Sequence, residues 1–114
     1  MPHFLIDCSA DVLETKTKHQ LMTAVHEAAM STALFDTKDI KVRVRPFEEY
    51  MVGGSDASFI HIFSHIMQGR TTEQKAALSR KVVEVVTQMF PNIKFVAMNV
   101  DEFMKATYCN KAML

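Results

Sequence analysis

The chain lacks tryptophan and contains only two cysteines, three glycines and three prolines among its 114 residues. Cys8 and Cys109 have neither metal-site spacing nor a disulfide framework, so they predict a reducing, cytoplasmic location. The formal net charge at pH 7 is zero, because 13 basic residues balance 13 acidic ones. This balance predicts no nucleic-acid partner and no membrane-surface partner. The apolar runs are too short to cross a bilayer, and no signal-peptide pattern opens the chain.

The residues that are present indicate an ordinary globular protein. Hydrophobic residues make up 48% and charged residues 23% of the chain, proportions typical of a folded domain. A length of 114 residues predicts a single domain spanning residues 1–114. Nine methionines and eight phenylalanines supply core volume in place of tryptophan.

The first half of the chain has the pattern strand, helix, strand. Residues 3–8 predict a strand, with Phe4-Leu5-Ile6 as a short apolar run. From about Thr15 to Phe35 the apolar residues follow helical spacing, and a capping box is available at Asp11 and Glu14 or at Thr17 and Gln20. Residues 40–45 then alternate apolar and basic side chains, which predicts a strand, and Pro46 places it at an edge or an end of the sheet.

The second half repeats this rhythm after a turn at residues 53–56. Residues 57–67 predict a long strand that is apolar on both faces. A helix follows, begun by Thr71 with Gln74 as a capping box and closed by Pro91. Residues 93–100 predict the last strand, and residues 101–106 predict a short helix.

The predicted fold is therefore α+β, a β-α-β-β-α-β pseudo-repeat with two helices on one face of a four-stranded mixed sheet. Right-handed crossovers make the strands within each half parallel. Two helices cover only one face, while the 57–67 and 93–100 strands carry apolar side chains on the other. Because a monomer would leave that patch in water, we expect a homo-oligomer that packs sheet against sheet.

The start of the chain offers a candidate general base. Met1 precedes a small residue, so we expect its removal, which would leave Pro2 with a free secondary amine attached directly to a strand. A free α-amino group titrates near pH ~8. Burial or nearby cations lower that pKa and favour the neutral, proton-accepting amine at pH 7. If Met1 is retained, the Pro2 nitrogen is an amide and cannot act in this way.

The run Pro2-His3-Phe4, followed by Cys8-Ser9 and later by Gly69-Arg70, resembles the 5-carboxymethyl-2-hydroxymuconate Δ-isomerase family of the tautomerase superfamily. The resemblance implies homotrimers of β-α-β-β-α-β subunits that need no metal and no cofactor. It also implies that the processed proline shuttles a proton on a 2-hydroxymuconate-type substrate during the catabolism of aromatic compounds. The substrate class is a small dicarboxylate or tricarboxylate.

Three basic residues are candidates for binding the substrate carboxylates. Arg70 lies where a strand meets a helix N-terminus, and its guanidinium can grip a carboxylate with two hydrogen bonds. The resemblance implies an arginine on the 40–45 strand, where the best-aligned position is Lys41. Lysine keeps the charge but loses the bidentate geometry, so Arg43 is the alternative.

Other interpretations remain open at the level of the sequence. The same amine could serve a hydratase or dehalogenase, although no acid that positions water is assignable. A chain that keeps Met1 could instead be a binding or signalling protein similar to macrophage migration inhibitory factor. His61 and His65 lie too far apart on one strand for easy joint metal ligation, so packing or an interface is their expected role.

Overall fold

Four strands and two helices follow one another along the chain in a computed structural model that describes residues 1–114. The bounds are β1 His3–Ser9, α1 Lys18–Ser31, β2 Lys41–Phe47, β3 Phe59–Met67, α2 Thr72–Met89 and β4 Phe95–Phe103. The element order confirms the predicted β-α-β-β-α-β pseudo-repeat.

The four strands form one mixed sheet in the order β2-β1-β3-β4. β1 pairs with β2 in parallel, β3 pairs with β4 in parallel, and β1 pairs with β3 antiparallel. The parallel pairs are those predicted within each half. β2 is an edge strand, which accommodates Pro46 because its missing N–H removes no bond from a central ladder.

Both helices cover the same face of the sheet. Each begins with a capping box, Thr17 with Gln20 and Thr71 with Gln74, so two N-terminal N–H groups of each helix are satisfied by side chains. Apolar residues of the two helices and of the central strands form one buried cluster. Its largest fully buried members are Phe4, Ile6, Leu21, Ile60, Ile62, Ile66, Leu78, Val25, Val82 and Val86.

The opposite face of the sheet, which we call the open face, has no helix over it. It carries the alternate residues of each strand, including three phenylalanines that expose 36–43% of their surface: Phe47, Phe63 and Phe95. The helix-facing residues of β3, by contrast, are all buried. Neither helix combines the length and the hydrophobicity that a bilayer span requires.

Several predicted element bounds are wrong. The helix predicted from Thr15 to Phe35 is shorter, because Thr17 is the N-cap and α1 begins only at Lys18. At the other end, Thr32 is the C-cap and Ala33 adopts a left-handed conformation with φ of 58°, which ends the helical hydrogen bonding. The third strand begins at Phe59 rather than at residue 57.

The end of the chain also differs from the prediction. Residues 101–103 belong to β4 and pair with residues 65–67 of β3, so the short helix predicted at 101–106 is wrong. Pairing with a neighbouring strand outweighs the weak local preference for helix. Only two 3-10 turns follow, Lys105–Thr107 and Lys111–Met113.

Candidate active site

The sheet topology brings three separate segments to one end of the molecule, which we call the amine end. Because β1 and β2 are parallel, their first residues lie side by side, and His3 is the partner of Lys41. Because β1 and β3 are antiparallel, the last residues of β3 lie at the same end, and His3 also faces His65. Pro2, Lys41 and Arg70 therefore meet at the amine end, although they are far apart in sequence.

Pro2 immediately precedes β1 and is held rigidly. Its ring is fully buried on the helix-covered side of the sheet. Its carbonyl oxygen accepts a hydrogen bond from the backbone N–H of Lys41, with a donor–acceptor distance of 3.0 Å. An amine on Pro2 would therefore be attached to backbone that is fixed by packing and by the β1–β2 ladder.

Lys41 is the first residue of β2 and directs its ammonium toward the start of the chain. Its Nζ donates to the backbone carbonyl of Asp39 at 2.7 Å and lies 3.6 Å from the sulfur of Met1. The residue expected to bind substrate on this strand is therefore adjacent to the N-terminal residue. Its side chain is half-buried.

Arg70 follows β3 through Gly69, whose φ of 123° is accessible essentially only to glycine. Its guanidinium donates to the carbonyls of Leu34 at 2.6 Å and Met67 at 3.4 Å. The guanidinium carbon also lies 5.2 Å from the centre of the Phe35 ring. Arg70 thus ties the α1–β2 loop to the end of β3, and its remaining N–H donors are free to bind an anion.

The electrostatics of the amine end favour a neutral amine. Burial lowers the pKa of the Met1 amine below its ordinary value of 8.0, and the positive charges of Lys41 and Arg70 lower it further. The carboxylate of Asp39 acts in the opposite direction and raises that pKa. Two of the predicted binding cations therefore lie near enough to influence the N-terminal amine.

Arg43 lies on the open face and contacts a different group. Its guanidinium is 3.2 Å from Nδ1 of His3. Because a guanidinium only donates, Nδ1 accepts, and the proton of the neutral imidazole is assigned to Nε2. Burial lowers the pKa of His3, and Arg43 and Lys41 lower it further. Burial and Arg43 therefore disfavour the charged form of His3, and Arg43 is not among the charges that influence the N-terminal amine.

Residues 2–111 match the family described as 5-carboxymethyl-2-hydroxymuconate isomerase. The chain belongs to this family. The 5-carboxymethyl-2-hydroxymuconate Delta-isomerase of Escherichia coli is 25% identical to this isomerase over 92 residues, which are 79% of this chain and 73% of that relative.

Two solved structures show that the isomerase has the tautomerase fold. One is Pt0534 inactivated by 2-oxo-3-pentynoate, with 19% identity and a TM-score of 0.84, over 96% of this chain and 91% of that one. The other is a symmetric trimer of wild-type fused 4-OT, with 16% identity and a TM-score of 0.79, over 96% of this chain and 91% of that one. The predicted mixed sheet with two helices is confirmed.

Two contributors to the amine end of this isomerase were not predicted from the sequence. Asp39 influences the amine, but one acidic residue in a predicted loop gave no signal of this. Phe35 packs against the Arg70 guanidinium, yet it was assigned only to the end of a helix. Both lie in the α1–β2 connection, which the parallel pairing of β1 with β2 brings to the amine end, whereas the antiparallel pairing of β1 with β3 brings Arg70 there.

The two histidines of β3 have separate partners. His61 Nε2 is 2.6 Å from Oδ1 of Asn99, and His65 Nε2 is 3.8 Å from a carboxylate oxygen of Asp101. Residues 1–114 contain no group of three His, Cys, Asp or Glu side chains arranged to hold a metal ion. Both histidines lie on the open face, where packing or an interface was predicted.

Proposed function

We propose that this isomerase converts 5-carboxymethyl-2-hydroxymuconate, or a related 2-hydroxymuconate-type dienol diacid, to its keto isomer. The observation that carries the proposal is that the start of the chain shares one end of the sheet with Lys41 and Arg70. Burial and these two cations depress the pKa of the N-terminal amine. Removal of Met1 then gives Pro2 an amine in the same surroundings, and the reaction needs no cofactor.

A single base of this kind performs both proton transfers. The Pro2 nitrogen accepts the proton of the 2-hydroxyl group, and the electron pair of that O–H bond forms the carbonyl. The displaced π electrons of the dienol form a bond to a proton at a chain carbon, and the protonated amine supplies that proton. Atoms and charge balance, and the amine is neutral again. General acid–base catalysis by one positioned group contributes roughly 10²–10⁴-fold.

The cations at the amine end suit a substrate with more than one carboxylate. Arg70 has N–H donors beyond those given to Leu34 and Met67, so it can bind a carboxylate through charge-assisted hydrogen bonds. Lys41 supplies a second positive charge beside the amine. Arg43, two residues further along the same face of β2, is the third candidate for binding a carboxylate, and its guanidinium contacts His3.

We also propose that the working form is a homotrimer. Phe47, Phe63 and Phe95 are exposed on the open face, and a second and third copy of the chain would remove them from water. The fused 4-OT of the same fold forms a trimer. The free thiols of Cys8 and Cys109 support the expectation that the enzyme works in the cytoplasm.

The decisive test is the pH dependence of ketonisation of 2-hydroxymuconate by protein shown by intact mass to lack Met1. We expect kcat/KM to rise with pH through one group that titrates below the ordinary value for a free amine, and then to level off. No rate above that of buffer, from a correctly assembled oligomer, would contradict the proposal. Retention of Met1 in protein from the native host would favour the binding-protein interpretation instead.

Asp39 supports a second candidate, the addition of water to an unsaturated acid. Such chemistry needs a carboxylate that positions water, and Asp39 is the acidic residue that influences the amine. Addition of water to 2-oxo-3-pentenoate can be followed by NMR. If this candidate holds, Asp39→Asn abolishes hydration, whereas ketonisation of the dienol persists.

A further inference from the structure

The amine end carries an aromatic cluster that neither the proton transfer nor carboxylate binding uses. Phe103, the last residue of β4, lies with its ring centre 5.9 Å from that of His3 in an edge-on arrangement. The same phenylalanine ring lies 5.8 Å from the ring of His65 and 6.0 Å from that of Tyr108. Phe103 and Tyr108 thus form a continuous aromatic surface beside the residue that follows Pro2.

The register of the sheet places this surface beyond the end of β1. His3, the first residue of β1, pairs with His65, whereas Phe103 pairs with Met67, two residues further along β3. Phe103 therefore lies beyond the start of β1, on the open face, with its ring against that of His3. Both Phe103 and Tyr108 are half-buried, so part of each ring remains available for contact.

Backbone contacts hold the aromatic surface in place relative to Arg70. The N–H of Gln68 donates to the carbonyl of Phe103 at 3.1 Å, and its side-chain oxygen accepts from the N–H of Lys105. Gln68 also forms a β-bridge with Arg70. One short segment thus fixes both the carboxylate-binding candidate and the beginning of the C-terminal segment.

We propose that Phe103 and Tyr108 are specificity-determining residues that form the wall against which the conjugated carbon chain of the substrate lies. This assignment rests on the proposed function. A planar dienol diacid has charged ends and an apolar unsaturated middle. The cations at the amine end match the ends, and the aromatic surface matches the middle, because flat π systems pack well on aromatic rings.

The first test compares two substrates with the same charges and different chain lengths: 2-hydroxymuconate and hydroxyfumarate, the enol of oxaloacetate. Tyr108→Leu and Phe103→Leu should each lower kcat/KM for 2-hydroxymuconate about five- to ten-fold, mainly through KM. The same variants should change kcat/KM for hydroxyfumarate less than about two-fold, because its chain is too short to need the wall. Equal losses on both substrates would overturn the proposal.

Two control variants isolate the aromatic ring from other effects. Tyr108→Phe keeps the ring and removes only the hydroxyl, whose partner is the Asn110 amide at 3.5 Å, so it should match the wild type. Phe95→Leu is the same type of substitution as Phe103→Leu, on the same face of the sheet but at the opposite end of β4. It should leave the ratio of the two kcat/KM values, for 2-hydroxymuconate and for hydroxyfumarate, unchanged. A loss with Tyr108→Phe equal to that with Tyr108→Leu would contradict a role for the ring.

A binding measurement tests the proposed aromatic wall even if the protein does not catalyse ketonisation. trans,trans-Muconate lacks the 2-hydroxyl group and cannot ketonise, so calorimetry with this ligand measures the site without the reaction. We expect the wild type and Tyr108→Phe to bind equally and Tyr108→Leu to bind about five- to ten-fold more weakly. Binding without turnover would reject the proposed reaction and retain the wall. Equal affinity in all three proteins would reject the wall.

Discussion

At the scale of single residues, the chemistry depends on which residue carries the N-terminal amine. With Met1 in place, the nitrogen of Pro2 is an amide and the free amine belongs to a half-buried methionine. Once Met1 is removed, the amine is attached to backbone that the Lys41 N–H and the buried Pro2 ring hold in position. In the proposed mechanism, removal of this one residue therefore decides whether the amine end has a rigidly held base.

Two substitutions of Pro2 separate the amine from the ring. Pro2→Leu should retain Met1 because the side chain is large, and kcat should fall at least about 100-fold because no base remains at this position. Pro2→Ala still permits removal of Met1 and keeps an amine, so it should retain substantially more activity than Pro2→Leu. Intact mass and initial rates measure both variants. Wild-type activity in Pro2→Leu with Met1 retained would reject the amine as the base.

In the proposed mechanism, the charges around the amine set the pH range of activity. The neutral amine is the proton-accepting form, so a lower pKa would extend activity to lower pH. Asp39→Asn removes the charge that raises the pKa, and the acidic limb of the kcat/KM profile should move to lower pH. Lys41→Met removes a charge that lowers the pKa, and the limb should move to higher pH. Shifts of the same sign in the two variants would show that the limb belongs to another group.

At the scale of elements, local patterns predicted the type of each element better than its limits. The two capping boxes and the alternation along β3 are set by neighbouring residues, and both were predicted from the sequence. The extension of β4 to Phe103 depends on pairing with β3, which no local pattern of residues 101–103 reveals. For the same reason the aromatic surface was not predicted, because the sequence pattern placed Phe103 in a short helix.

The candidate site was predicted in part for a similar reason. Pro2, Lys41, Arg43 and Arg70 were chosen from residue chemistry and resemblance. Whether Pro2 and Arg70 meet depended on the pairing of β1 with β3, which the sequence left open. The antiparallel pairing brings both to the amine end. Asp39 and Phe35 could be assigned to the site only from the structure, because both lie in the α1–β2 loop to which Arg70 is hydrogen-bonded.

The turn at Gly69 couples a strand end to the position of Arg70. Its φ of 123° lies outside the range of other residues, and a Cβ at this position would meet no atom within 4 Å. Gly69→Ala should therefore act through backbone strain alone, destabilising the fold by about 1–3 kcal/mol. Because relief of that strain moves Arg70, the KM for a diacid should also rise.

Gly54→Ala provides a matched control for this effect. Gly54 also has a positive φ, 78°, and free space around it, but it lies in the β2–β3 loop. Thermal melts should show destabilisation of both variants, whereas KM should change only in Gly69→Ala. If both variants lose stability and neither changes KM, the turn does not position a substrate-binding residue.

At the scale of the whole molecule, the open face and the amine end are connected. The row of open-face side chains that contains Arg43 continues across the sheet to Phe63 and Asn99, and the adjacent row contains His3, so an assembly that covers this face also borders the site. Helices cover one face only, and three phenylalanines are exposed on the other face. Assembly and activity should therefore be lost together.

Phe63→Glu tests this connection at the centre of the open face. Phe63 is 36% exposed between Leu5 and Asn99, and a carboxylate placed there would be buried without a partner in a trimer, at a cost of several kcal/mol. In sedimentation equilibrium the wild type should have three times the 12.9 kDa mass of one chain, and Phe63→Glu should be smaller and inactive. Met51→Glu, at a residue 80% exposed between β2 and β3, should behave as the wild type. A monomeric wild type with full activity would show that the open face needs no partner, and that the site is complete within one chain.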